Sequence, residues 1–411
     1  MLIQNIKGLI QSRTDNIASP LKGDQLQHLP LIENAFLLIE NDRIKAFGSM
    51  DNCPIYEGQV IDAKDQFVLP TWVDSHTHLV FAAPREEEFV MRLKGKTYQE
   101  IAAAGGGILN SAKKLRESSE ATLLEAAKIR LHEVIQQGTG AIEIKSGYGL
   151  NVAGELKMLR VIQQLKAESP IPIKATFLGA HAFPAEFADN HQAYIDLIVK
   201  EMLPLIAAEN LADYIDAFCE KVAFSVEETQ QVLEAGNKYG LKAKVHTNQF
   251  NSMGGIELCI AHNALSVDHL ELVNEAEINA LKDSELITTL LPSAPFFLSD
   301  PYQPARALID ANIPVALASD FNPGSSPSSN MNFVVSLACI KLGMTPEEAI
   351  NAATLNGAFA VELEQDYGSI QTGKKANFIL TKKIPSLGYI PYAFGSNVID
   401  QVFINGKKYH Q

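Results

Sequence analysis

Between residues 66 and 364 the chain repeats one pattern: a short apolar or β-branched run, a turn, then a longer segment with apolar residues three and four apart. The short runs are "WVDSHTHL", "TGAIEIKS", "IPIKATFLGA", "ADYIDAFC", "LKAKVHT", "ALSVDHL", "ELITTLLP" and "IPVALASD". Each is too short to be a helix and too continuous to be half exposed, as expected of a strand covered on both faces. Segments such as "ATLLEAAKIRLHEVIQQG", "AGELKMLRVIQQLKAES", "SVEETQQVLEAGNKYG" and "EAEINALKD" carry helical spacing, with Gly or Asn near several ends. Eight such units predict an α/β fold, a closed parallel (β/α)8 barrel of the TIM type over 66–364. An open doubly wound sheet would call for G-x-G-x-x-G after the first strand, and that is absent. "LKGKT" at 93–97 lacks the leading glycine of a phosphate loop, because position 90 is Val90.

The two ends read differently. Residues 1–65 contain "AFLLIENDRIKAFG", two apolar runs around Asn-Asp, and residues 365–411 contain "KKANFILTKK" and "VIDQVFINGKKY". These are hairpin signals, and the simplest arrangement joins both ends in one small, discontinuous β-sandwich domain beside the barrel.

The sequence has ten histidines, and His76 and His78 are two residues apart at the end of the first barrel run. Strand side chains alternate, so both point to one face, and two imidazoles buried together require a compensating partner. Other candidates fall at matching strand ends: His181 after the third, His246 at the fifth, His269 at the sixth and Asp320 at the eighth. That is the rim on which a barrel assembles its active site. His28, His132, His191, His262 and His410 fall in helical or loop stretches and read as structural.

Three or four imidazoles with one carboxylate and no thiolate suit one divalent ion, Zn(II) or Fe, with a position open to water. Such an ion acidifies water and polarises a carbonyl, which makes hydrolysis the expected chemistry. Asp320 beside that water can take its proton and pass it to a leaving nitrogen.

H-x-H on strand one, His on strands five and six and Asp on strand eight resemble the amidohydrolase superfamily over the whole barrel, including the flanking sandwich. More narrowly, "DSHTHLVFAAPREEEF", "GGGI", "IEIKSGYGL", "FLGAHAFP", "SVDHL" and "SDFNPGS" resemble the imidazolonepropionase family, which opens the ring of 4-imidazolone-5-propanoate to N-formimidoyl-L-glutamate in histidine degradation. The resemblance implies His76, His78, His246 and Asp320 as metal ligands, and His269 as a hydrogen-bond partner of the attacking water or the substrate. Many superfamily members carry a carbamylated lysine on strand four that bridges two metals; here that stretch is "DAFCE" and Lys221 lies beyond it, so one metal per subunit is expected.

The same resemblance places further residues around the substrate. Arg85, just past strand one, would hold the propionate, for which a guanidinium fork is suited. Tyr148, flanked by glycines, and His181 would contact the ring; Asn322, Gly324 and Ser325 would meet substrate or product. "AAAGGGILNSAKK" reads equally as a hinge or as an anion cradle before a helix. "HTNQF" departs from the acidic pair found in some relatives: Gln249 can hydrogen-bond the ring but cannot be a general base, which leaves proton transfer to Asp320 and His269.

Charge and composition limit the rest. The formal net charge of -14 argues against nucleic acid and anionic membranes as partners and for a local cation if the small-molecule substrate is anionic. No apolar run reaches about 18 residues, and no signal-peptide core is evident. Four scattered cysteines (Cys53, Cys219, Cys259, Cys339) suggest a reducing compartment, so the chain reads as cytoplasmic. A homodimer is implied by the resemblance alone. The competing readings are a purine or pyrimidine deaminase of the same superfamily, with no need of Arg85, and a catalytically inactive barrel scaffold.

Overall fold

Among the described residues, the expected alternation is realised as sixteen strands in two sheets. The computed structural model describes residues 1–96, 100 and 106–410; residues 102–105 of "AAAGGGILNSAKK" and Thr97 of "LKGKT" lie outside the described residues. The strands are β1 Leu2–Ile10, β2 Leu31–Glu40, β3 Arg43–Ser49, β4 Val60–Asp62, β5 Gln66–Pro70, β6 Trp72–Asp74, β7 Thr139–Lys145, β8 Ile173–Ala180, β9 Tyr214–Cys219, β10 Lys242–Thr247, β11 Ser266–His269, β12 Ile287–Leu290, β13 Val315–Leu317, β14 Phe378–Lys383, β15 Ile399–Ile404 and β16 Lys407–Lys408.

Strands β6 to β13 pair in parallel in chain order, and they are the eight runs read from the sequence. All seven residues of β7 are buried, the charged Glu143 and Lys145 included. Helices cover the outside in the expected way: Glu120–Gln136 buries Leu123, Leu124, Ala127, Leu131, Val134 and Ile135, one stripe at helical spacing. Its N-terminus is capped by Ser119, and that of Val226–Lys238 by a Ser225/Glu228 capping box.

The remaining strands make a mixed sheet in the order β16-β15-β14-β5-β1-β2-β3, with β4 on β1, and form the small β-sandwich domain. The β2–β3 and β15–β16 hairpins turn at Asn41 and at Asn405-Gly406, whose positive φ values of 58°, 51° and 72° are those asparagine and glycine tolerate best. Strand β14 lies between β15 and β5, so the two ends of the chain share one hydrogen-bonded sheet around Ile3, Ile6, Leu9, Leu37, Phe378 and Phe403. Only Thr71 separates β5 from β6, so this sheet anchors the first barrel strand.

The seam between β6 and β13 positions the site. Both strands have three residues, and regular pairing of β6 ends at Asp74, so His76 and His78 lie just beyond it rather than within it. The barrel closes instead through a parallel bridge between Thr77 and Phe321. His78 N donates to Phe321 O at 2.8 Å and Asp320 N to His76 O at 3.1 Å. The closure itself thus brings His76, His78 and Asp320 together. Among the described residues, no helix is long and apolar enough to cross a membrane.

Candidate metal centre and substrate pocket

At the carboxyl rim, side chains from four strand ends converge. His76 Nε2 and His78 Nε2 each lie 3.6 Å from Asp320 Oδ1, and His246 Nε2 lies 3.4 Å from His78 Nε2. His269 groups with His76 and His246, their nitrogens mutually within 4.8 Å. All five residues are buried. Donors bound to one four-coordinate ion at about 2.0–2.2 Å stand roughly 3.3–3.6 Å from each other; the separations of 3.4 and 3.6 Å fall in that interval, and the nitrogens and oxygens divide into two groups that share His76, one with His78 and Asp320 and one with His246 and His269. His76 Nε2 is buried without a hydrogen-bond partner among the described residues, which a cation would supply. The donor set fits a metal ion.

The protonation states agree. Burial first, then the Lys145 charge, holds His76 and His246 well below the ordinary imidazole value; burial and the neighbouring His181 do the same to His78. These rings are therefore neutral, with lone pairs free to ligate. Burial raises the Asp320 carboxyl to about 6, opposed by the charge of His269. His269 differs: burial works to lower it, but Glu271 outweighs burial and raises it to about 9.

Beneath the rim lies a buried layer that sequence reading missed. Asp268 Oδ2 accepts from His76 Nδ1 at 2.6 Å, and Asp216 Oδ2 sits 2.9 Å from His246 Nδ1. With a carboxylate beside Nδ1, each ring directs Nε2 to the site. Lys145 Nζ lies 2.9 Å from Glu143, 2.9 Å from Asp216 and 3.8 Å from Asp268, and Lys244 Nζ lies 4.0 Å from Asp268. Glu143 Oε2 in turn accepts from Thr77 N, pinning the backbone between the two histidines. The signal was present: "IEIK" alternates charge with isoleucine in a buried strand, and a barrel interior is the place where such a face is paired rather than solvated.

The backbone is also strained at this rim. His269, Leu270, Asp320 and Asn248 adopt φ of 89°, 66°, 54° and 57°. Left-handed non-glycine residues cluster where surrounding contacts hold functional side chains against local preference.

A wall extends from the cluster. His181 stacks on His78 with centroids 5.4 Å apart and donates from Nδ1 to Gly147 O at 2.9 Å. The Tyr148 ring lies 5.5 Å from His181, and Arg85 Cζ lies 6.0 Å from the Tyr148 ring. The turn carrying Tyr148 is held by Glu155, whose carboxylate accepts from Gly147 N, Gly149 N and Leu150 N. Glu220 accepts from Gln249 N at 2.7 Å and Phe250 N at 3.0 Å, fixing Gln249 near the rim, while Asn248 turns to Leu272 O and Glu277. Asn322 spends its amide within its own turn, donating to Asp320 O and accepting from Gly324 N and Ser325 N; Ser325 Oγ lies 3.2 Å from Asp320 Oδ2. Gly324 abuts Arg85: a β-carbon there would stand 2.6 Å from Nη1. Lys221 is exposed. Of the histidines read as structural, His132 bonds Tyr409 and His191 bonds Glu228.

A parallel barrel with imidazoles and an aspartate at its carboxyl rim and a terminal β-domain is the architecture of the metal-dependent amidohydrolases, and residues 221–408 match the amidohydrolase family. Solved structures agree on the fold: guanine deaminase of E. coli (TM-score 0.71, 15% identity, 100% of this chain and 99% of that one) and a zinc-bound adenosine deaminase from Xanthomonas campestris (TM-score 0.69, 16% identity, 99% and 92%). Full-length relatives are narrower in name. Imidazolonepropionase from Flavobacterium psychrophilum is 59% identical over 99% of both chains, and that from Alkaliphilus metalliredigens is 39% identical over 99% of this chain and 97% of that one. The chain belongs to the imidazolonepropionase family.

Proposed function

We propose that the protein hydrolyses the cyclic amide of 4-imidazolone-5-propanoate to N-formimidoyl-L-glutamate. The observation that supports this reading is the continuity of the Arg85–Tyr148–His181 wall with the histidine and aspartate cluster, which would set an anion anchor beside a hydrolytic centre. His76, His78, His246 and Asp320 would hold one divalent ion, zinc or iron. When bound, that ion polarises the ring carbonyl and acidifies water. Arg85 binds the propionate through its guanidinium fork, and Tyr148, His181, Gln249 and the Asn322–Ser325 turn orient the ring. Water adds to the amide carbon, the C–N bond breaks, and Asp320 carries the proton from water to the departing nitrogen, with His269 completing the transfer. Gln249 positions the ring and moves no proton.

The deaminase alternative is not favoured: guanine and adenosine deaminases resemble the chain in fold alone, whereas relatives along its whole length carry the imidazolonepropionase name. A scaffold without activity would have no use for neutral, converging imidazoles. We further assign a cytoplasmic homodimer: four free cysteines support the reducing compartment, the net charge of -14 supports the absence of nucleic acid among its partners, and the dimer is carried by the family resemblance. The decisive experiment follows loss of the imidazolone chromophore with metal-replete protein; absence of turnover overturns the reading.

A further inference from the structure

The anionic end of the pocket depends on a residue outside its wall. Arg85 Nε donates to Ser111 Oγ at 2.9 Å, and among the described residues this is the only hydrogen bond of its guanidinium. A guanidinium tied at Nε retains its Nη1/Nη2 edge, the edge that meets a carboxylate with two parallel bonds. Nη1 is packed against Gly324, and Cζ stands 6.0 Å from the Tyr148 ring, so that edge belongs to the pocket. Ser111 is itself buried, on the helix Ile108–Glu117. The same helix holds the next part of that wall: Arg116 donates from Nε to Gly149 O at 2.8 Å and from Nη2 to Leu150 O at 2.9 Å, the two carbonyls that follow Tyr148. Lys157 Nζ fastens the helix end through Leu115 O, Arg116 O and Ser118 O at 3.3, 2.9 and 2.7 Å.

We propose that Ser111 is a specificity-determining positioning residue, whose hydroxyl sets the Arg85 fork for a substrate carboxylate while its helix braces the Tyr148 turn. The proposal rests on Arg85 being the carboxylate anchor. Arginine is long and rotamer-rich, and a fork not held in place must be ordered by the substrate itself. The cost falls on binding rather than on the chemical step, and only on ligands that carry the anion.

The test compares wild type, Ser111→Ala, Ser111→Thr and Arg85→Met in KM and kcat for imidazolone propionate, and in Ki for its neutral carboxamide counterpart. Ser111→Ala raises KM about tenfold, the equivalent of one weakened charged hydrogen bond, with kcat within about twofold. It leaves the carboxamide Ki unchanged, and Ser111→Thr restores KM. If Arg85→Met raises KM while Ser111→Ala does not, or if Ser111→Ala weakens acid and carboxamide alike, the Ser111 role is wrong and the anchor reading stands. If Arg85→Met leaves KM unchanged, the anchor reading fails and the Ser111 role falls with it.

Discussion

Replacing Lys145 with methionine tests whether the buried layer beneath the site is an electrostatic unit. Lys145 is fully buried and its Nζ lies 2.9 Å from both Glu143 and Asp216 and 3.8 Å from Asp268. Each contact at 2.9 Å is worth about 6 kcal/mol of Coulomb attraction at an effective dielectric of about 20, before desolvation is subtracted. Methionine is close to lysine in volume, so the perturbation is charge rather than space. It leaves three carboxylates with Lys244 alone, 4.0 Å from Asp268. Removing one member of a buried ionic group costs about 3–5 kcal/mol, and we expect about 4, a large part of the roughly 5–15 kcal/mol typical of a folded protein. Burial already raises the Glu143 and Asp216 carboxyls, and Lys145 is the charge that most opposes it. Without Lys145 they rise further, and the penalty for ionising them is relieved at low pH, where they bind protons. The stability gap between wild type and Lys145→Met therefore widens as pH rises from about 5.5 to 8. An Asp216 that takes up a proton no longer sets a carboxylate charge 2.9 Å from His246 Nδ1, so metal affinity falls about 10- to 100-fold. Urea denaturation at the two pH values, with chelator competition for the metal, measures both effects. The double variant Lys145→Met/Asp216→Asn is expected to be less damaged than the sum of the two singles. A single variant within about 1 kcal/mol of wild type at both pH values, or strict additivity in the double, refutes the argument.

Three further outcomes are expected. Asp320→Asn loses at least about a hundredfold in kcat, the usual scale of a proton-transfer group, and binds less metal when assayed by elemental analysis after gel filtration. Gly149→Ala is destabilising by about 1–3 kcal/mol or more, because its β-carbon would stand 2.3 Å from the Glu155 nitrogen and from the Gly154 carbonyl carbon, which are backbone atoms without room to yield; a melting curve measures it. Burial, with a smaller contribution from Arg13, lowers the Lys374 ammonium to about 8. Between that value and the ordinary 10.5 of lysine the unfolded chain holds the extra proton, so this residue's contribution to stability improves as pH rises through that window and is least favourable below it. Lys374→Met removes that slope, measured as the difference from wild type in denaturation midpoint at pH 7.5, 9 and 10.5.

Much of the site was readable because the barrel makes strand ends equivalent. Once eight βα units are counted, any polar residue closing a run must face a common rim, and His246, His269 and Asp320 could be assembled without knowing a single distance. Arg85 and Tyr148 needed more: an exposed-looking arginine and a glycine-flanked tyrosine gain meaning only from a family pattern. Other buried acids are illegible in sequence for a physical reason. Asp216, Asp268, Glu155 and Glu271 look like ordinary surface carboxylates in sequence, since charge is normally solvated, and nothing local signals that a partner waits in another strand.

Periodicity and turn chemistry are local properties, so the order of strands and helices, the hairpins at both ends and the polarity of the rim follow from the residues in line. The closure of β6 on β13 through Thr77 and Phe321 does not, because two three-residue strands 241 positions apart between Asp74 and Val315 carry no mark of each other. Folding alone decides that His76 meets Asp268 across 192 residues and that Lys145 is dry. Ring orientation, ligand spacing and buried charge depend on ångström distances between remote segments, and those are fixed only when the core packs.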